Sequence, residues 1–380
     1  MTYSIHLRKR FNIREKVILV GVDIFPYDKD FERKLEETTE LVEAANGEVV
    51  SVISQKRDAY KRAFVIGQGK IEELIERIEE TKAESVLFNM ELTGSHLKNL
   101  EEALNIKVID RTMLILDIFA SRAITSEGKL QVSLAQHEYR LSRLVNRSPY
   151  LSRLGGGIGT RGPGETKLES DRRHIQREIA SYKKKLKSLK KHRLQTRLKR
   201  RQSQIPLVCL LGYTNAGKSS ILNAMLQISR STLKVETKDM VFASLQPFTR
   251  RVNHQDSPFL ISDTVGFVSD LPTHLVAAFE STLEEVRQAD ILIHVIDASN
   301  PQMEQQIETV QSILKDFDLD SKVTVSYFNK IDLIDFNSFN RLTQSDITLK
   351  GSALDSDDMK KLYNLLIQNV STIYDTREDI

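Results

Sequence analysis

Apolar and polar positions follow different periods in different parts of this chain, and each period predicts a different kind of element. Short apolar runs at Lys16–Val22, Glu48–Ser54, Glu84–Met90 and Lys107–Ile109 read as strands. Between them, Phe31–Ala45, Lys70–Lys82 and His96–Leu104 carry apolar residues at helical spacing. That alternation predicts a parallel α/β domain over residues 1–111. From 112 to 204 the pattern changes. Leu130, Leu134, His137, Leu141 and Leu144 recur at intervals of four and three, as do Leu168, Ile175, Ile179, Tyr182, Leu186 and Leu189 apart from one missed step at Arg172. Two such helices separated by a loop at about 147–165 predict a long antiparallel hairpin, and the capping-box sequence Thr166-Lys167-Leu168-Glu169 marks the start of the second. From 205 to 380 strand–helix alternation returns, with strands at Leu207–Leu211, Phe259–Ser262, Val323–Phe328 and Asp346–Lys350 and a helix at Gly217–Leu226, as in a doubly wound fold. Leu271, Leu275, Phe279, Leu283 and Val286 share one helical face that reads as core, and Tyr374–Ile380 reads as a frayed tail. No internal repeat is evident.

Three units suit a chain of 380 residues. With 28% charged and 40% apolar residues the chain reads as soluble and globular. No apolar run approaches membrane-spanning length, and Met1–Asn12 has Arg8, Lys9 and Arg10 without an apolar core, so stable membrane insertion and secretion are not expected. The single cysteine, Cys209, falls in a predicted strand, reads as a buried structural thiol and excludes an intrachain disulfide, which fits a cytoplasmic protein. Net charge changes the picture more. Arg172–Arg201 holds fourteen Lys or Arg against one acid, Glu178, whereas the whole chain carries only +3, so the positive charge is concentrated on the second hairpin helix. A solvated helix face ordinarily mixes signs, and this one is built to meet a polyanion.

The hairpin tip concentrates glycine in the same way. Gly155, Gly156, Gly157, Gly159, Gly162 and Gly164 are six of the chain's sixteen glycines. Gly157–Gly162 matches GxGxxG, but no strand precedes it and no βαβ unit surrounds it, so a dinucleotide site is rejected. Glycines that admit close backbone approach, with Arg147, Arg153 and Arg161 among them, suit insertion along an RNA surface. Gly67-Gln68-Gly69-Lys70, by contrast, reads as a tight strand-to-helix connection.

The third segment carries the chemistry. Gly212-Tyr213-Thr214-Asn215-Ala216-Gly217-Lys218-Ser219 fits GxxxxGK[ST] between a strand and a helix, where backbone N–H groups cradle phosphate. In that frame Lys218 reaches the β- and γ-phosphates and Ser219 ligates Mg²⁺, with Ser220 beside it among the nucleotide-binding residues. Asp263-Thr264-Val265-Gly266 supplies a carboxylate to the Mg²⁺ shell, through water, and a glycine amide able to approach a γ-phosphate. In Asn329-Lys330-Ile331-Asp332, the Asp332 carboxylate can accept from both N1–H and the exocyclic amine of guanine, a donor pair adenine lacks. Ser352-Ala353-Leu354 offers a backbone amide to the guanine carbonyl. The set implies a GTP hydrolase using GTP/GDP and Mg²⁺, with Lys218, Gly266 and Thr249 carrying catalysis. Thr249 is preferred to Thr232 and Thr237 as the threonine that closes on Mg²⁺ and the γ-phosphate. Phe267 stands where Ras-like enzymes have a water-positioning glutamine, so hydrolysis is expected to be slow until something else positions the water. Asn215 resembles the asparagine that helps hold a potassium ion in potassium-stimulated bacterial GTPases, where the cation replaces an arginine finger.

Nearly the whole chain resembles the HflX family of bacterial GTPases. The likeness rests on the run Leu151–Thr166, on Leu130-Gln131-Val132 and Asp171-Arg172-Arg173, and on Asp263–Phe267 followed by Ser281-Thr282-Leu283-Glu284-Glu285-Val286. The resemblance implies a GTPase that binds the large ribosomal subunit and dissociates stalled or idle ribosomes under stress, with hydrolysis stimulated by the ribosome; a monomer is the default expectation, and no DNA partner is expected. It also implies that the hairpin tip, through Arg153, Gly155, Gly156, Gly157 and Arg161, approaches ribosomal RNA near the peptidyl-transferase region. Three positions depart from the family. Phe248-Thr249 replaces two neighbouring threonines, Asn89-Met90 stands where acids are common, and Leu354–Asp358 replaces a glycine-containing turn after Ser352-Ala353.

Overall fold

The computed structural model describes residues 14–59, 63–123, 125–145, 163–202, 205–229, 248–254, 257–264, 266–267, 286–316, 318–319, 323–334 and 347–378. They divide into two compact units, Met1–Ser121 with Lys129–Lys185, and Arg122–Gly128 with Leu186–Ile380.

The first unit is built on four parallel strands in the order β2-β1-β3-β4: β1 Glu15–Ile24, β2 Gly47–Arg57, β3 Ser85–Phe88 and β4 Lys107–Asp110. The connecting helices are α1 Phe31–Ala44, α2 Gln68–Thr81 and α3 Gly94–Leu104. Thr93 caps α3 by accepting from the His96 N–H at 3.2 Å. Helices α2 and α3 end at the left-handed residues Lys82 and Asn105. Gly67 behaves as a connection, its N–H donating to Gln55 Oε1 at 2.9 Å.

Strand β3 stops at Phe88 rather than Met90, and the next residue, half-buried Asn89, joins a polar cluster. Asn89 Oδ1 accepts from Thr38 and from Arg111, the latter at 3.2 Å, and Glu37 on α1 pairs with Arg111 at 3.2 Å. An acid from a different element therefore neutralises Arg111, and a neutral Asn89 is compatible with the site.

Periodicity missed α4, Arg111–Arg122, which follows β4 without a break. Leu114, Ile115, Leu116, Ile118 and Phe119 are all buried, so only the narrow edge at Asp117, Ala120 and Ser121 is exposed. Asp110 caps it, Oδ1 accepting the Met113 N–H at 2.9 Å. The other oxygen accepts the Leu92 N–H at 2.9 Å, the Tyr139 hydroxyl at 2.5 Å and the Arg143 guanidinium. Burial pushes the Asp110 carboxyl upward, and Arg143 offsets part of that shift.

Tyr139 and Arg143 lie on α5, Ser126–Val145, the first hairpin helix. The second, α6, spans Pro163–Gln202. It begins at Pro163, three residues before the expected capping box, because proline at the first helical position has its φ preset and lacks only an N–H that would be unpaired there. Glu169 pairs forward with Arg173 at 3.1 Å rather than acting in a cap. The two helices meet antiparallel through His137 and Glu178 at 2.8 Å, Glu138 and Lys183 at 2.8 Å, and the His137 and Tyr182 rings. On α6, Ile179 is buried and Ile175, Tyr182, Leu186 and Leu189 are half-buried, whereas Arg172, Arg173, Arg177, Lys183, Lys184, Lys185 and Lys187 are exposed. Residues 146–162, with Arg147, Arg153, Gly155, Gly156, Gly157 and Arg161, lie outside the described residues.

Among the described residues, the second unit has six strands in the order β10-β9-β8-β5-β7-β6: β5 Leu207–Gly212, β6 Phe248–Val252, β7 Phe259–Asp263, β8 Ile291–Asp297, β9 Val323–Asn329 and β10 Ile347–Lys350. All pairings are parallel except that of edge strand β6 with β7. The helices named here are α7 Lys218–Ile228, α8 Met303–Asp316 and α9 Ser356–Glu378. Leu222, Met225 and Leu226 on α7 share a core with Leu362, Leu366 and Val370 on α9 and with Val208, Ile261 and Ile293 of the sheet. The tail expected to fray is instead helical through Glu378, and the Tyr374 hydroxyl donates to the Pro258 carbonyl at 2.7 Å. Cys209 is buried. Of the apolar stripe after Phe267, Val286 is buried as core and the rest lies outside the described residues.

Candidate guanine nucleotide site

Parallel strands bring their C-terminal ends to one edge of a sheet, and here four of those ends carry the motif residues. Gly212 closes β5, Asp263 β7, Asn329 β9, and Gly351-Ser352 follow β10.

The loop between β5 and α7 needs glycine. Gly217 has φ +94°, and a Cβ there would lie 2.1 Å from Asn329 Nδ2. Lys218 is buried, and its Nζ donates to the Gly212 and Tyr213 carbonyls at 3.1 and 2.7 Å. Burial lowers its pKa to about 8, partly countered by Asp263. Asn215 is exposed and left-handed, with φ +61°.

Ser219 Oγ donates to Asp263 Oδ2 at 2.5 Å, while Asp263 Oδ1 is buried with no hydrogen-bond partner among the described residues. Burial raises the Asp263 pKa, and Lys218 and Ser219 oppose that rise. A hydroxyl and a carboxylate with an unfilled acceptor form a hard oxygen site that fits Mg²⁺. Thr264 faces away from this pair, its hydroxyl donating to the Leu210 carbonyl at 2.6 Å.

Gly266 and Phe267 continue the loop wall. A Cβ on Gly266 would come within 2.8 Å of the Thr214 Cα, a backbone atom that cannot step aside, so glycine is required for this approach. Phe267 is stapled to the phosphate loop, its N–H donating to the Gly212 carbonyl at 3.1 Å and its carbonyl accepting from Thr214 at 2.8 Å. Its ring is buried and offers no polar group to a water.

Asn329 ties two loops together. Its Nδ2 donates to the Ala216 carbonyl at 2.8 Å, and its Oδ1 accepts the Ala353 N–H at 2.8 Å. Asp332 is exposed on a short 3₁₀ turn, Ile331–Leu333. The segment Leu354–Asp358 builds a turn without glycine. Asp355 Oδ1 accepts the Asp357 and Asp358 N–H groups at 2.8 and 2.9 Å, and Asp358 reaches back to the Ser352 N–H at 3.1 Å. The Leu354 N–H donates to Ser352 Oγ at 3.2 Å, leaving its side chain exposed.

Thr249 is not gathered with Ser219 and Asp263. It lies in β6 opposite Ser262, and its hydroxyl donates to Ser262 Oγ at 3.3 Å. Its rivals Thr232 and Thr237 lie outside the described residues.

A phosphate loop, a strand-end carboxylate and an Asn-Lys-x-Asp segment on one edge of a doubly wound sheet define a P-loop GTPase. Three family models match in succession: "GTP-binding GTPase N-terminal" over residues 32–120, "GTP-binding GTPase Middle Region" over 122–200, and "50S ribosome-binding GTPase" over 207–330. GTPase HflX of Caldanaerobacter subterraneus subsp. tengcongensis is 48% identical over 85% of this chain and 74% of its own length. GTPase HflX of Lacrimispora saccharolytica is 44% identical over 96% and 85%, and that of Escherichia coli 42% over 86% and 75%. The chain belongs to the HflX family of GTPases and is a GTP hydrolase. A crystal structure of SsGBP with GDP shares the fold, with a TM-score of 0.51 at 23% identity over 94% of this chain and 99% of that one. No helix among the described residues is long and apolar enough to cross a membrane.

Proposed function

We propose that this chain is a GTPase activated by the large ribosomal subunit, which it engages in the GTP form to dissociate stalled or idle ribosomes. In this reading Lys218 holds the β- and γ-phosphates, Ser219 and, through water, Asp263 hold Mg²⁺, and Asp332 selects guanine. Bound Mg²⁺ would neutralise charge on the phosphates. Thr249 would join it only by leaving Ser262, a change open to an edge strand. Asn215, exposed in the phosphate loop, would take a potassium ion. Arg153, Gly155, Gly156, Gly157 and Arg161 would contact ribosomal RNA near the peptidyl-transferase region, with the chain acting as a monomer in the cytoplasm.

The observation that carries the RNA side is the row of exposed cations on α6, in which hydrophobic spacing turns the charges outward. On the catalytic side it is buried Phe267, which leaves water positioning to something outside the site. The same residue favours a second reading, a nucleotide-gated ribosome-binding module in which hydrolysis is incidental. GTP turnover with and without purified large subunits, in potassium and in sodium buffer, separates the two. The first reading expects strong stimulation by the subunit, supported by potassium; no stimulation in either salt favours the second.

A further inference from the structure

Asp297 lies outside every nucleotide motif, yet it ends β8 at the same sheet edge where Asp263 ends β7. It stands in register with Asn329, and the next residue, Ala298, donates its N–H to the Asn329 carbonyl at 2.9 Å. The two strand ends therefore set Asp297 beside the residue after Asn329. That residue, Lys330, is left-handed with φ +64°, and its Nζ donates to Asp297 Oδ2 at 2.7 Å. The side chains are 24% and 11% exposed, so the pair is largely shielded from water.

The acceptor is fixed independently of the lysine. Asp297 Oδ1 accepts both the backbone N–H of Ser299, at 3.0 Å, and its hydroxyl, at 2.6 Å. Ile296, Ala298, Ile307 and Phe328 form a small buried cluster around this turn, and Ile331 packs against it from the other side of Lys330. A lysine stem is a chain of free rotors that is costly to order. A carboxylate already held by Ser299 and a packed turn removes that freedom before any ligand arrives.

We propose that Asp297, oriented by Ser299, is a positioning residue for guanine recognition. It holds the Lys330 ammonium to one side, so that the lysine stem forms a preset wall of the base slot next to Asp332. The proposal rests on the guanine-site reading given above. Its rival is a buried ion pair that serves only the fold. Preordering one side chain of this kind is worth about three- to tenfold in affinity.

The test measures Kd and dissociation rate for a fluorescent GDP, together with thermal unfolding of the nucleotide-free proteins. The variants are Lys330→Ala, Asp297→Asn, Ser299→Ala and the Lys330→Ala/Asp297→Asn double. Asp297→Asn is expected to weaken GDP about three- to tenfold through faster dissociation, to raise KM for GTP while kcat holds, and to add nothing once Lys330 is alanine. Ser299→Ala is expected to shift affinity in the same direction by less. An equal loss with and without Lys330, or a loss matched by a lower unfolding midpoint of the nucleotide-free protein, overturns the positioning role. If Lys330→Ala alone leaves GDP affinity unchanged, the wall role is overturned, whereas failure of the guanine-site reading is reported separately by Asp332→Asn, which would then bind GDP as the parent protein does.

Discussion

Individual residues in the nucleotide site are held in states that water would not favour. Lys218 donates hydrogen bonds to two loop carbonyls, which places a cation at the centre of the phosphate loop. Lys218→Ala is expected to abolish GTP binding at micromolar concentrations while the protein stays folded; equilibrium titration with GTP checks it. Asp332→Asn is expected to shift preference from guanine to xanthine nucleotides, because the amide presents a donor where the carboxylate accepted; competition between GDP and xanthosine diphosphate measures this. His294, buried in β8, was not singled out by any motif. Burial, and secondarily the charge of Lys218, lowers its pKa from 6.5 to about 4. The unfolded chain then binds the extra proton first, so stability is full above pH 6.5 and is lost as the pH falls towards 4. The loss from this one group is about 3 kcal/mol, and His294→Gln is expected to flatten that part of a pH series of urea unfolding curves.

At the scale of elements, apolar runs and helical spacing marked most strands, the buried β3 and β5 among them, and the helices with one broad wet face. Strands β1 and β2 and helices α1 to α3 were legible from their spacing, with ends shifted by a few residues where caps or polar clusters intervene. Helix α4 was hard to read because its wet edge is narrow, and β8 carries an apolar run, Ile291–Asp297, of the same kind as β5. The start of α6 was misplaced because the capping-box sequence matched while Pro163 had already begun the helix. Asp110 shows how elements are tied together: one carboxylate caps α4 and receives Tyr139 and Arg143 from α5. Asp110→Ala strands a buried guanidinium, and a loss of about 3–5 kcal/mol in urea unfolding is expected. Tyr139→Phe, which leaves the ion pair in place, is expected to cost about 1 kcal/mol in the same experiment.

Over the whole molecule, charge and motif order carry most of what was legible. A cationic helix in an otherwise acidic chain and three ordered motifs predict a guanine nucleotide site on the same chain as a basic element suited to a polyanion. Deleting Gly155–Gly164 is expected to leave GTP affinity unchanged and to abolish stimulation of hydrolysis by large ribosomal subunits. Retained stimulation would reduce that segment to a linker.

Local chemistry determined in advance which residues belong to the nucleotide motifs, because phosphate, Mg²⁺ and guanine each demand particular donors and acceptors at short spacing. Helical period likewise determined that Arg173, Arg177, Lys183, Lys184, Lys185 and Lys187 on α6 face outward. Contacts between residues far apart in sequence were decided only by the tertiary structure. These include Asn329 joining Ala216 to Ala353, Thr249 resting on Ser262, Glu37 answering Arg111, and Asp297 holding Lys330. Strand order and register set those meetings, and neither has a signature within a single short stretch of chain.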